Sequence, residues 1–130
     1  MNKVALLTLV VFALLLPNIS KAQAYIAHYT YPDKIKKDTL IDTIIGVKFI
    51  VDKERIYITA IDKSGKQLWK TDPAVDSKLE EYRVKRPTIV YFKLVSDKSG
   101  KKIAVEIAYN NSQFGYLDEK SGKFTFVGQD

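Results

Sequence analysis

The sequence predicts an all-β fold, or a β-rich fold with one short helix, and two observations support that prediction. From Val47 onward, apolar residues largely alternate with polar ones, as in strands with one buried face. Three near-identical turn sequences, each ending in Ser-Gly-Lys, interrupt the alternation. We therefore expect two antiparallel meanders with about seven or eight strands in total, forming either a small sandwich or one strongly twisted sheet.

The three turns share the pattern acidic residue-Lys-Ser-Gly-Lys, and they open at Asp62, Asp97 and Glu119. The acidic side chain is expected to accept backbone N–H bonds, and glycine to take the left-handed position of a type I turn with a bulge. Each turn would then join two antiparallel strands, with tighter turns at 52–54 and 110–112. The predicted strands are 46–51, 55–61, 66–71, 88–96, 101–109, 113–118 and 123–127.

A short helix is expected between the two meanders. Asp72 is a good N-cap, and Pro73 suits the first helical position. Val75, Leu79 and Tyr82 would form one apolar stripe on a helix of one or two turns.

Two further segments are predicted from their apolar patterns. The run 88–95 is almost continuously apolar, which favours a central strand covered on both faces. Residues 25–31 alternate and are compatible with another strand, whereas 33–45 fits a loop leading into a strand at 40–50 better than a helix.

Residues 1–24 have the three parts of a cleavable signal peptide. Lys3 gives a positive start, Val4–Leu16 is an apolar run shorter than a membrane span, and Ala-Gln-Ala at 22–24 has the small-x-small form. Cleavage after the second alanine would leave one domain, residues 25–130, without a membrane span, and cleavage after the first alanine is the alternative. We expect this domain in the periplasm or outside the cell.

The composition excludes several kinds of site. The sequence has no cysteine and one histidine, His28, so disulfides, thiolate nucleophiles, zinc–cysteine sites and three-histidine sites are impossible. The net charge of +6 is mildly basic, without the basic stripe of a nucleic-acid-binding protein. Calcium-loop, phosphate-loop and nucleophile-elbow motifs are absent from the sequence. We therefore expect no cofactor, no metal and no nucleic-acid partner.

One segment resembles a known family. Tyr57–Pro73 reads YITAIDKSGKQLWKTDP and resembles a blade fragment of quinoprotein-like β-propellers, in which an Asp-x-x-x-Gly-Lys turn precedes a strand with tryptophan at the position of Trp69. The resemblance covers 17 residues, and the second meander lacks the tryptophan. A propeller needs about four blades or more, and this chain has strands for two at most. The resemblance therefore implies a shared type of hairpin and no pyrroloquinoline cofactor.

The candidate binding residues are tyrosines near the start of the mature chain and a basic cluster that follows Tyr82. Tyrosine offers a large contact area with a polar end, and arginine or lysine can hold a carboxylate on a protein or a sugar. Core packing of the aromatic side chains and a solvated helix end remain the alternatives. The candidate residues are Tyr25, Tyr29, Tyr31, Tyr82, Arg83, Lys85 and Arg86.

The favoured function is a non-enzymatic binding module of inhibitor, immunity or accessory type, with a protein or glycan partner. The first alternative is a structural subunit that oligomerises or assembles through edge strands. The second is a carboxylate-based glycan hydrolase, although Asp33, Asp38 and Asp42 are expected to be solvated loop charges. An exposed apolar patch would favour the binding module, and a long uncharged edge strand would favour the structural subunit. Two carboxylates facing each other in a cleft would favour the enzyme.

Overall fold

The computed structural model describes residues 35, 37–96 and 98–130, without the side chain of Ile103. The predicted signal peptide and the tyrosines of 25–31 lie outside these residues. The described chain forms two four-stranded antiparallel sheets with the strands in sequence order. Sheet 1 contains β1 (Thr39–Asp42), β2 (Val47–Val51), β3 (Ile58–Ile61) and β4 (Gln67–Thr71); helix α1 (Pro73–Asp76) follows; and sheet 2 contains β5 (Ile89–Ser96), β6 (Lys102–Tyr109), β7 (Gln113–Asp118) and β8 (Phe124–Gln129).

One apolar core joins the inner faces of the two sheets, which confirms the predicted small sandwich. Phe49, Ile58 and Ala60 of sheet 1 are fully buried, as are Ile107 and Leu117 of sheet 2. These side chains belong to one contact cluster. Complete burial of a large aliphatic or aromatic side chain contributes roughly 1.5–3 kcal/mol, so a chain without cysteine is stabilised mainly by this core.

The expected single strand at 40–50 is wrong, because a turn divides it into β1 and β2. Gly46 has a φ of 70°, the left-handed conformation that ends the turn. The carboxylate of Asp42 accepts a hydrogen bond from the backbone nitrogen of Ile44 at 2.9 Å. Sheet 1 therefore has four strands rather than three.

The expected central strand at 88–95 is also wrong, because β5 lies at the edge of sheet 2. Its apolar residues are explained partly by contact with sheet 1. The backbone nitrogen of Ile89 donates to the carbonyl oxygen of Arg55 at 2.8 Å, and Ile89 is fully buried. Contact with sheet 1 therefore buries the start of β5, although β5 is an edge strand.

The helix begins as predicted but is shorter than its expected stripe. Asp72 is the N-cap, and its carboxylate accepts from the backbone nitrogen of Val75 at 3.2 Å. α1 ends at Asp76, and Lys78 has a φ of 53°, a left-handed backbone angle at which an α-helix cannot continue. Val75 is 56% exposed, so the predicted stripe with Leu79 does not form.

The first predicted turn is confirmed. One carboxylate oxygen of Asp62 accepts from the backbone nitrogens of Ser64 at 2.8 Å and Lys66 at 3.0 Å. Gly65 has a φ of 85°, and Gly100 of the second turn has a φ of 83°. Both glycines therefore occupy the left-handed position that the turn sequence predicts.

The third turn corrects the prediction that Glu119 opens it. Asp118 accepts from the backbone nitrogens of Lys120 at 3.0 Å and Ser121 at 2.8 Å. Its own backbone nitrogen donates to the carbonyl oxygen of Lys123 at 2.9 Å, so this turn is one residue longer than the first. Glu119 is thereby released from the turn and is 7% exposed.

Candidate functional site

The candidate site lies on the connector between α1 and β5, residues 77–87. The connector has no regular structure apart from an isolated bridge between Tyr82 and Val84. The backbone nitrogen of Val84 donates to the carbonyl oxygen of Tyr82 at 2.6 Å, and Arg83 between them has a φ of 58°. Because a positive φ is unfavourable for arginine, other contacts must hold the connector in this shape.

Two buried side-chain amides fix the connector on sheet 2. Asn111 and Gln113 are each 2% exposed. The Nδ2 of Asn111 donates to the carbonyl oxygen of Tyr82 at 3.0 Å and to Oε1 of Gln113 at 2.7 Å. The Nε2 of Gln113 donates to the carbonyl oxygen of Glu80 at 3.0 Å. Because an unpaired buried amide costs free energy, these bonds hold Glu80 and Tyr82 against the sheet.

The side chains of Tyr82 and Arg83 are held as well. The hydroxyl of Tyr82 donates to the carbonyl oxygen of Asp130 at 3.1 Å, and the hydroxyl of Ser112 donates to the same oxygen at 2.7 Å. The guanidinium of Arg83 lies 4.8 Å from the centroid of the Tyr82 ring. A cation over an aromatic ring contributes about 0.5–1 kcal/mol at an exposed site. Tyr82 therefore anchors Arg83 at the surface.

The two cations that follow have different surroundings. Nη2 of Arg86 lies 2.7 Å from Oδ2 of Asp72, the same carboxylate that caps α1. The Arg86 side chain is 47% exposed, so it still presents part of its guanidinium to solvent. Lys85 is exposed. Arg86 thus links the connector to the start of α1, whereas Lys85 lies at the surface.

A pocket of about 230 Å³ lies between the connector and the β6–β7 turn. Its apolar lining includes Val75 and Val84, which are 56% and 36% exposed. The two buried amides also line it, and its charged lining has both signs, with Lys85 and Arg86 on one side and Glu80 and Glu81 on the other. An apolar side chain is the group that best matches the apolar part of this lining. We call these residues, together with Tyr82 and Arg83, the connector site.

Of the four connector residues that the sequence singled out as candidates, Lys85 and Arg86 line the pocket. Tyr82 and Arg83 instead contact each other and lie beside Asp130 and Ser112. Tyr25, Tyr29 and Tyr31 lie outside the described residues. Sequence reasoning missed Asn111, which it assigned only to a turn, and Gln113. The available signal was that Gln113 is a polar residue at an inward position of the alternating strand β7.

Trp69, Tyr91 and Tyr116 are aromatic residues outside the connector site. Trp69 packs against the core, with its ring centroid 5.8 Å from that of Phe49. Tyr91 and Tyr116 are half-buried on the outer face, beside Glu106. Burial, followed by the negative charge of Glu106, raises the pKa of Tyr91. Trp69 thus has the core role that the sequence left open for the aromatic side chains, and Tyr91 and Tyr116 lie on the face of sheet 2 that points away from the core.

A second buried polar cluster joins the ends of the two sheets. Asp42 at the end of β1 is 1% exposed, and Glu119 after β7 is 7% exposed. The two carboxyl groups share a hydrogen bond. The carbonyl oxygen of Glu119 accepts from Nε1 of Trp69 at 2.9 Å. Among the described residues, Oε1 of Glu119 has no hydrogen-bond partner.

The surroundings of Glu119 favour its protonated form. Burial, the negative charge of Asp42 and the hydrogen bond with that carboxyl raise the pKa of Glu119 to about 7, against a small opposing effect of Lys102. A protonated Glu119 can donate to Asp42, so the pair shares a proton instead of two repelling charges. In a glycoside hydrolase, the acid and the base must both contact the polysaccharide. The carboxyl groups of Asp42 and Glu119 are too buried for such contact.

A scan against models of protein families gives no match for this chain, and no curated protein matches its sequence. Within the described ranges, no group of three or more histidine, cysteine, aspartate or glutamate side chains is arranged to hold a metal ion. The same part of the chain contains no helix of sufficient length and apolar character to cross a membrane. The contacts of the connector site are therefore the basis for inferring a function.

Proposed function

We propose that this chain is an exported, non-enzymatic binding module that contacts a partner protein through the connector site. The observation that carries the proposal is the rigid presentation of Val84 and Lys85 beside a small pocket. Buried amides hold the connector at Glu80 and Tyr82 against the unfavourable positive φ of Arg83, without any bound partner. A surface that is already ordered loses less conformational entropy on binding, so it gains affinity.

The chemistry of the site indicates the kind of partner. The pocket volume of about 230 Å³ is below the roughly 300–1,000 Å³ of typical small-molecule sites. It is suited to one apolar side chain packed against Val75 and Val84. A carboxylate beside that side chain would pair with Lys85 or with the exposed part of Arg86. These features favour a protein over a glycan, as for an inhibitor, immunity or accessory protein.

Export is the part of the proposal that rests on residues 1–24. We expect cells that express the full chain to release a protein whose N-terminal residue is Tyr25, into the periplasm or the medium. Intact-mass measurement of the protein from each cell fraction tests this expectation. Recovery of the uncleaved chain from the cytoplasm alone would contradict export.

Capture with matched variants tests binding at the connector site. The protein carries an affinity tag and is crosslinked to the proteins of its own compartment, and the captured proteins are quantified by mass spectrometry. We expect Val84→Asp and Lys85→Glu each to reduce capture of the specific partner about tenfold or more, because they remove the apolar contact and reverse the charge. Lys66→Glu, at an exposed lysine of the β3–β4 turn, is the matched control.

The control separates the site from general surface charge. Equal loss with Lys66→Glu would mean that net charge, and not the connector site, determines binding. A partner captured equally by the wild type and both connector variants would contradict the proposed interface. Circular dichroism of each variant shows whether the fold is retained.

A further inference from the structure

Three exposed isoleucines lie at one end of sheet 1. Ile41 of β1 is 52% exposed, and Ile44 and Ile45 of the β1–β2 turn are 68% and 45% exposed. Isoleucine is unusual in a turn, where glycine, proline, asparagine, aspartate and serine predominate. The carboxylate of Asp42 accepts from the backbone nitrogens of Ile44 at 2.9 Å and Ile45 at 3.4 Å, so the turn is held in place. A cluster of exposed aliphatic side chains favours an external contact, and we call these three residues the isoleucine tip.

Two lysines lie beside the isoleucine tip. Lys48 is the cross-strand partner of Ile41, so the two side chains share the outer face of sheet 1. A Cβ added to Gly46 would overlap Cε of Lys63, so the stem of that lysine packs on the β1–β2 turn. Both lysines are exposed. The end of sheet 1 therefore presents aliphatic side chains and ammonium groups together.

Few carboxylates offset these lysines. The strands β1 to β4 contain one acidic residue, Asp42, which is buried and shares a hydrogen bond with Glu119. Asp62 opens the neighbouring β3–β4 turn, where its carboxylate accepts from the backbone nitrogens of Ser64 and Lys66. The surface around the isoleucine tip is therefore positive.

This composition matches an anionic lipid surface better than a protein or a second copy of the chain. Protein interfaces are enriched in tryptophan, tyrosine and arginine and depleted of lysine. The segments 41–48 and 62–66 contain no aromatic residue and no arginine. A second copy placed on the tip would bring lysines against lysines. Anionic headgroups above an aliphatic layer match both the lysines and the isoleucines.

We propose that the isoleucine tip inserts between the headgroups of an anionic lipid bilayer, with Lys48 and Lys63 on the lipid phosphates. The protein lies on the membrane surface through this end of sheet 1 and keeps the rest of the sandwich in water. The isoleucines supply apolar contact, and the lysines supply an attraction that weakens with salt. This interaction goes beyond the proposed function of the connector site and does not depend on it.

Co-sedimentation with lipid vesicles tests the proposal. The full chain is expressed, the protein is purified in the form the cells release, and intact mass verifies that the wild type and every variant have the same N terminus. One set of vesicles contains phosphatidylglycerol and phosphatidylcholine in equal amounts, and the other contains phosphatidylcholine alone. We expect about tenfold stronger binding to the anionic vesicles, and this preference should shrink as the salt concentration is raised.

Matched variants separate the isoleucine tip from the rest of the surface. Ile44→Asp and Ile45→Asp should each lower the partition coefficient about tenfold or more, because a carboxylate replaces an aliphatic contact. Val127→Asp makes a similar change at a 51% exposed position of β8 and should leave binding close to the wild-type value. Lys48→Glu should weaken binding to anionic vesicles about tenfold. Lys53→Glu, in the exposed turn at the opposite end of β2, should have little effect.

Three outcomes would overturn the proposal. The first is a wild-type protein that binds neither kind of vesicle, which would leave the tip to a protein partner. The second is equal binding to anionic and neutral vesicles, which would exclude the role of the lysines. The third is a loss of binding that is no greater with Ile44→Asp than with Val127→Asp. Unfolding midpoints are measured in parallel, so a loss of fold is distinguished from a loss of membrane contact.

Discussion

Two turns of this protein have almost the same sequence and different roles. Residues 62–66 and 118–123 both end in Lys-Ser-Gly-Lys, and in both the opening aspartate accepts the backbone bonds. An added Cβ on Gly65 would meet no atom within 4 Å, whereas one on Gly122 would lie 2.6 Å from the ring of Trp69. The first turn is solvated, and the second is a contact between the two sheets.

The difference comes from one inserted residue. The second turn opens at Asp118 and is one residue longer, so Glu119 is released toward Asp42 and its carbonyl oxygen meets the indole of Trp69. The same turn chemistry thus forms a simple hairpin at residues 62–66 and a junction between the two sheets at residues 118–123. Substitutions made in pairs, one in each turn, test this comparison.

The largest difference is expected at the glycines. Gly122→Ala should lower the free energy of unfolding by about 3 kcal/mol or more, because the methyl group combines a left-handed backbone with a clash against Trp69. Gly65→Ala should cost only about 1 kcal/mol, because it has the backbone effect alone. Chemical denaturation of the two variants at one pH measures both values. Equal losses would show that Gly122 has no special contact.

The next effect is a dependence of stability on pH that originates at Glu119. Its pKa is about 7 in the folded protein against an ordinary value of 4.5, so the folded state binds more protons between these values. The contribution of Glu119 to stability is therefore fully present below pH 4.5 and is lost as the pH rises through about 7, by on the order of 2–3 kcal/mol. Denaturation curves between pH 4 and pH 8 measure the slope.

Glu119→Gln is the matched variant for this effect. Its amide can still donate to Asp42 but does not titrate, so the variant should lose the decline and be more stable than the wild type near pH 8. The difference between the two proteins isolates Glu119 from every other titrating group. A variant with the same slope as the wild type would exclude Glu119 as its source.

The turns also show how far the sequence predicts this structure. Glycine and aspartate identify a turn because few other residues suit its backbone, so most hairpins and the two meanders followed from local chemistry. Whether the meanders stack as two sheets or join as one twisted sheet did not follow from it. Asp118 and Glu119 are both acidic, and the local pattern alone did not show which of them opens the turn. A shift of one residue moves a side chain to the other face, so the Asp42–Glu119 pair could not be predicted.

Longer-range contacts explain the other differences. The two isoleucines before Gly46 obscured the β1–β2 turn, and burial against sheet 1 gave β5 the composition of a central strand. In the connector site, charge and aromatic content identified the surface residues. The amides that hold them, Asn111 and Gln113, come from another part of the chain, and no local pattern joins them to Tyr82.

The smallest effect is expected at the aspartates that open the two turns. Asp118→Ala should lower the free energy of unfolding by about 1 kcal/mol at pH 7, because it removes acceptors for Lys120 and Ser121 and loosens the junction between the sheets. Asp62→Ala should cost less, because its turn is solvated. Bonds from Ser121 hold the pKa of Asp118 below 3.8, so its contribution is lost as the pH falls through the folded value. The effect of Asp118→Ala should thus shrink below about pH 4, and an equal cost for both aspartates at pH 7 would mean that the longer turn adds nothing between the sheets.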